Sequence, residues 1–313
     1  MESFLEFRLP MKLACPDSEC LSQNAGPNPK FRVRKKGYYY RRSDGQHVRR
    51  YQCTRCSRNF SSATLAPTYR QKKRHLNRWV LKHLCSGVSQ RRTARLLGVN
   101  PKTVVRKFRF LAEEARLKNQ AYRKSIASQS LTKVQFDDLE TSEHTKCKPL
   151  SVALAVDPRS RKVLGFQASR MPAKGRLSEL SRRKYGPRKD ERPKGWNQLL
   201  SELIPIVHPE SEWLTDQNPH YPQYLKRHFP RARHKTTPGG RGCIAGQGEL
   251  RKKGHDPMFA LNHTCAMLRA DMNRLFRRTW CTTKTLEGLV LHLELYTWFR
   301  NQHLTPELQA GAG

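Results

Sequence analysis

The apolar and polar positions divide the chain into four segments of different pattern. Residues 11–62 alternate in short runs, FRVRKKGYYYRR and QHVRRYQC, separated by Ser43-Asp44-Gly45, and this predicts a β-hairpin. Residues 70–118 shift to a helical period. Leu76, Trp79, Val80 and Leu84 share one helix face, Ala94 and Leu97 a second, and Val104, Phe108 and Leu111 recur at i, i+4, i+7 on a third. Asn119 to Ser130 (NQAYRKSIASQS) is polar and reads as a linker. From Leu131 to about residue 300 apolar strands alternate with longer helical runs, which predicts an α/β domain. Its first three strands are Lys133–Asp138, PLSVALAV and KVLGFQAS. A helix around Trp196 to Val207, a strand Glu212–Thr215, a strand Arg231–Thr236 and a final helix Pro257–Arg278 follow. A Gly-rich insertion, 238–254, interrupts the last part. The expected architecture is therefore multidomain.

The helical segment is sharply punctuated. Ser89 can cap one helix and Gly98 can end it in a left-handed conformation. Asn100 caps the next, with Pro101 at the first helical position, where its missing N–H costs nothing. This is a helix-turn-helix pattern. Lys102, Thr103 and Arg106 then lie near the exposed amino-terminal end of the second helix, where a recognition helix meets base edges in the major groove.

Charge narrows the partners. Sixty-one Lys and Arg against 25 Asp and Glu leave a formal charge of +36 on 313 residues. Such self-repulsion implies a polyanionic partner. A membrane is disfavoured: no apolar run approaches the roughly 20 residues that span a bilayer, and Met1-Glu2-Ser3 lacks the layout of an export signal. A cytoplasmic, nucleoid-associated protein bound to DNA is the expectation, with an RNA-binding protein as the bland alternative.

Nine cysteines without an export signal read as metal ligands more readily than as disulfides. Cys15 and Cys20 form one close pair and Cys53 and Cys56 another, at the two ends of the predicted hairpin. Four thiolates so arranged can hold one tetrahedral Zn²⁺, making a zinc ribbon over residues 11–62. The basic residues of its strands, with Tyr38, Tyr39 and Tyr40 among them, suit contact with a phosphate backbone.

The α/β segment carries two well-placed aspartates. Strict alternation puts Val134, Phe136 and Asp138 on one face of the first strand and Gln135 and Asp137 on the other. Asp216 ends the fourth strand. The order β-β-β-α-β-α-β-α, FDDLE, WLTDQNPHY and NHTCAMLRADMNRLFRRTWCTTK together resemble the DDE-type transposases of bacterial insertion sequences, in particular those with an amino-terminal zinc ribbon and helix-turn-helix. The resemblance covers nearly the whole chain. It implies a ribonuclease-H-like catalytic domain at 131–300, with Asp137 and Asp216 as ligands of Mg²⁺ or Mn²⁺. The family's third acid, a Glu seven residues before an Arg, falls here on Asn262 ahead of Arg269, on one helix face; Glu249 in the Gly-rich insertion is the alternative third ligand. The implied activity is metal-dependent cleavage and joining of DNA strands at transposon ends, by a homo-oligomer, with Arg269 and its basic neighbours gripping the backbone. A catalytically inactive, transposase-derived DNA-binding regulator is the competing expectation, kept open by Asn262.

Overall fold

A computed structural model of the chain describes residues 13–20, 33–238, 256–276 and 280–303. It divides into two compact units, Met1–Trp79 and Val80–Gly313. Cys243, Glu249, Arg277, Arg278 and the Gly-rich stretch from 239 onward lie outside the described residues.

The first unit is built on a three-stranded antiparallel sheet, β1 (Val33–Arg41), β2 (Gln46–Cys53) and β3 (Asn59–Ser61), followed by one helical turn, α1 (Ser62–Leu65). The predicted Asp-Gly connection is present. Asp44 accepts from Arg41 Nε and Nη2 at 2.7 and 2.6 Å, and Gly45 takes a φ of +66°, a conformation that favours glycine. The hydrophobic core of this unit is small, with Cys15, Cys20, Cys53 and Phe60 buried and Val33, Tyr51 and Leu65 against them.

The division between the units falls inside α2 (Leu76–Leu84). Leu76, Val80 and Leu84 are buried as expected, but Trp79, expected in the helical core, is 49% exposed. It sits on the helix beside the buried stripe rather than on it. Next come α3 (Gln90–Leu96) and α4 (Pro101–Ile126). Their caps follow the reading of the sequence. Ser89 accepts from Arg92 N at 3.3 Å, Gly98 has a φ of +58°, and Asn100 accepts from Lys102 N at 2.8 Å. Val104, Phe108 and Ala112 form the buried stripe of α4, with Leu111 half-buried at its edge.

The stretch 119–130 is not an irregular linker. Helix α4 continues through Ile126, and a short 3₁₀ turn, Ala127–Gln129, leads into the sheet. The polar residues misled because their partners are distant in sequence. Asn119 is buried and donates to Glu294 O and Oε2 at 3.0 and 2.7 Å, while Ile126 enters the core of the α/β body.

That body contains a five-stranded mixed sheet in the order β6-β5-β4-β7-β8. Strands β4 (Leu131–Ser142), β5 (Pro149–Val156) and β6 (Val163–Arg170) form the antiparallel meander read from the sequence. After α5 (Leu177–Tyr185) and α6 (Arg192–Leu203), β7 (Val207–Thr215) pairs in parallel with β4. Then α7 (Tyr221–His228) leads to β8 (Arg233–Thr236), parallel to β7. Val134, Phe136, Trp196, Leu199, Leu200 and Trp213 are buried in one core. The predicted final helix is shorter than expected. It is α8 (Phe259–Asp271), followed by a 3₁₀ turn, Asn273–Leu275.

One helix has no counterpart in the sequence reading. Helix α9 (Leu286–His303) buries Leu289, Leu293, Leu295, Tyr296 and Trp298, and it packs along α4. Its polar residues, among them His292, Glu294, Arg300 and Asn301, do not gather into one stripe that would mark its period. Its Asn301 side chain closes two 2.9 Å hydrogen bonds with the backbone N–H and C=O of Val163, covering the edge of β6.

Candidate functional site

The parallel pairing of β4 with β7 sets the site. Lys133, Val134 and Gln135 stand beside Glu212, Trp213 and Leu214. Two residues further along come Asp137, in the middle of β4, and Asp216, directly after the carboxyl end of β7. In open α/β sheets that end is where ligands bind. The two aspartates line an open cleft of about 720 Å³ together with Glu140, Arg192, Tyr221 and Arg269.

Each carboxylate is oriented by its surroundings. Tyr221, at the start of α7, donates its hydroxyl to Asp137 Oδ1 at 3.2 Å, and Asp138 N–H donates to the same oxygen at 2.7 Å. Asn218 N–H donates to Asp216 Oδ1 at 2.9 Å, in a tight turn after β7. Burial, and after it the negative charge of Asp216, push the Asp137 carboxyl up to about 7. Two acids held this close in a basic protein have a charge conflict that a proton or a cation relieves.

Asp138 was read from the sequence only as a second acid on the opposite face. There it accepts from Trp196 Nε1 with both oxygens, at 3.0 and 3.1 Å. Burial raises its carboxyl to about 6, against the lowering effect of that indole. Arg192 lies over the same indole, 5.6 Å from the ring centroid, and is itself held by Asp190 at 2.6 Å. Tyr221, Trp196 and Arg192 are therefore site residues that local patterns did not single out, because only the packing of α6 and α7 against β4 brings them there. WLTDQNPHY does contain Tyr221, but no spacing rule ties a tyrosine five residues on to an acid on another strand.

The position of α8 is fixed by Gln135. Its amide donates to Pro257 O at 2.7 Å and accepts from Leu261 N at 2.9 Å, so a strand side chain caps the helix. Arg269, two turns further along α8, reaches the cleft. Asn262 does not. It shares a helix side with Arg269, but it is exposed, donates to Asp256 Oδ2 at 2.9 Å, and is absent from the cleft lining. Asp256 also accepts from Met258 N at 2.9 Å, in the turn ahead of α8, whose N-cap residue is Met258. The expected triad is thus a pair of aspartates with Arg269, and Asn262 stands beside the site rather than in it. Glu249 lies outside the described residues.

The second candidate centre is the cysteine cluster. The ligand atoms of Cys15, Cys20, Cys53 and Cys56 all lie within 4.8 Å of one another, the one cluster of three or more metal-binding side chains among the described residues. Cys15 Sγ is 3.5 Å from Cys56 Sγ, and Cys20 Sγ is 3.8 Å from Cys53 Sγ. Four sulfurs at about 2.3 Å from a tetrahedral Zn²⁺ are about 3.8 Å apart. The residues therefore fit a metal ion such as zinc. With no cation present, burial pushes the Cys15 thiol up to about 12. A metal ion supplies the compensating charge that makes the thiolate stable there.

At the amino-terminal end of α4, Lys102 and Arg106 are exposed and Thr103 is half-buried. All three stand where the capped helix was expected to present them. Among the described residues no helix is long and apolar enough to cross a membrane. Comparison with models of known protein families and with curated proteins gives no match. The site therefore rests on its own geometry.

Proposed function

We propose that this chain is a DNA transposase. It would bind transposon ends through a zinc ribbon and a helix-turn-helix, and cleave and join strands at the Asp137–Asp216 cleft of a ribonuclease-H-like domain. The observation that carries this reading is the meeting of two carboxylates, Asp137 in mid-β4 and Asp216 just past β7, in one cleft rimmed by cations, on a chain of charge +36.

Asp137 and Asp216 would hold Mg²⁺ or Mn²⁺. The cation would neutralise charge as phosphoryl attack develops and favour deprotonation of an attacking water or 3′-hydroxyl. The chain's own groups do the rest. Tyr221 and the backbone N–H groups of Asp138 and Asn218 fix the two carboxylates before substrate arrives, so little reorganisation is needed. Arg269, Arg192 and Lys174 present positive charge around the cleft for the phosphates on either side of the scissile bond. Trp196 fixes the carboxylate of Asp138, which also lines the cleft. Lys102, Thr103 and Arg106 would read the end sequence in the major groove, while the ribbon's arginines hold the backbone. Pairing two ends calls for a homo-oligomer.

A DNA-binding regulator derived from such an enzyme is the second reading. It is favoured by one observation, the turn of Asn262 away from the cleft toward Asp256. Strand cleavage and joining, measured with Mg²⁺ on DNA flanking the coding region, separates the two. The transposase reading predicts both products from the wild type and at least about a thousandfold loss in Asp137→Ala and Asp216→Ala, with DNA binding kept. Binding without cleavage by the wild type would favour the regulator.

A further inference from the structure

The hairpin of the first unit presents an ordered aromatic face that phosphate contact does not explain. In the β1–β2 register Tyr38 stands opposite Arg49 and Tyr40 opposite His47. All four side chains project from one face, because residues two apart along a strand point the same way. The opposite face carries the buried Val48. Tyr38 and Tyr40 are 55% and 56% exposed, on an edge strand whose interior residues are all exposed. Neither ring is loose. The Arg49 guanidinium lies 3.9 Å from the centroid of the Tyr38 ring, and the Tyr40 and His47 rings are 5.3 Å apart. The irregularity in the pairing falls between Lys35 and Tyr38, before the two tyrosines, so their own spacing is that of a regular strand.

That spacing has a chemical meaning. Positions i and i+2 on a strand are about 6.7 Å apart. Successive stacked bases rise about 3.4 Å, so the two strand positions are spaced by about two stacking steps, enough for one planar base beside these rings. Exposed Lys35, Lys36 and Arg42 on the same strand and its turn supply charge for the phosphates that such a strand carries. Bases in a duplex are already stacked and paired and cannot enter. We propose that the Tyr38–Tyr40–His47–Arg49 face is a stacking platform for unpaired DNA bases, such as those of a frayed or cleaved end. The inference rests on the nucleic-acid half of the function proposed above and not on the carboxylate cleft, so Asp137→Ala leaves the platform intact.

The test uses the zinc-loaded full chain with a labelled oligothymidylate of about 12 nucleotides, within the site sizes of aromatic single-strand grooves, and a duplex of equal length. The Tyr38→Ala/Tyr40→Ala double variant should bind the single strand about tenfold or more weaker and the duplex within about threefold of wild type. Tyr38→Phe/Tyr40→Phe should bind both as wild type does, because the ring and not the hydroxyl stacks. Parallel loss on both DNAs, or no loss on either, would overturn the proposal. So would oligouridylate bound about tenfold tighter than oligothymidylate, since the platform would then belong to RNA. Photocrosslinking of iododeoxyuridine oligonucleotide to the wild type is independent of variant folding. Crosslinks should map to Tyr38, Tyr40 or His47, and crosslinks confined to other segments would refute the assignment.

Discussion

Asp137 shows how placement makes a carboxylate useful. On an exposed strand it would be ionised at any pH above about 4. Burial and Asp216 raise it to about 7 instead, so without a cation the folded chain prefers it protonated. For an acid whose folded pKa is raised, the folded state binds more protons than the unfolded one between the two values. Its contribution to stability is then full below about 4 and is lost as pH rises toward 7. Thermal denaturation of cation-free protein should show that decline, and Asp137→Asn should flatten it, raising the melting temperature at pH 8 by roughly 2–6 °C. Mg²⁺ should reverse the decline for the wild type alone, because it competes with the proton for the same oxygens. Unchanged pH profiles in the variant would show that Asp137 is not the strained group.

Among the elements, α8 and the sheet β1–β3 depend on unlike supports. Helix α8 is held at its start by one side chain, Gln135, which satisfies Pro257 O and Leu261 N together. Gln135→Ala leaves both backbone groups without that partner and should cost about 1–3 kcal/mol in urea denaturation. It should also lower cleavage by releasing Arg269 from the cleft. Gln135→Glu sets a buried carboxylate against Pro257 O, so at neutral pH it should cost at least as much as Gln135→Ala. The cysteine-bearing sheet has few buried apolar side chains, with Phe60 the largest in its core cluster. Chelation should therefore unfold residues 33–65 while amides of β4, β5 and β7 keep their protection from hydrogen exchange. Loss of protection in both units together would contradict separate support.

These elements were not equally legible in the sequence. The caps at Ser89 and Asn100, the Asp-Gly connection and the cysteine pairs are local signals, complete within a few residues, and each predicted its feature. The β4–β5–β6 meander was legible for the same reason, since short turns join strands that pair directly. Asp137 and Asp216 needed a long-range inference, which the resemblance to a known family supplied. What stayed hidden depends on distant partners. Asn119 looks like linker until Glu294 is beside it, and α9 has no polar stripe. Asn262 has the right helical phase, yet phase fixes only direction about the axis. Its reach is decided by Asp256 and by how Gln135 anchors the helix.

For the molecule as a whole, α4 is the feature that changes the picture. It begins with exposed Lys102 and Arg106 and ends, 26 residues and about 39 Å later, with Ile126 in the core of the sheet that carries Asp137. The segment that begins α4 and the α/β body thus share one continuous helix where a linker was expected. DNA bound at the start of α4 would be held at a set orientation to the body, which narrows the strand positions the cleft can reach. The strand-transfer reading depends on that cleft holding a divalent cation. Calorimetric titration of Mn²⁺ into the zinc-loaded full chain is the direct measurement. Binding should be retained in Asn262→Ala and lost in Asp137→Ala and in Asp216→Ala, whereas Mn²⁺ binding that survives both aspartate substitutions would contradict the account.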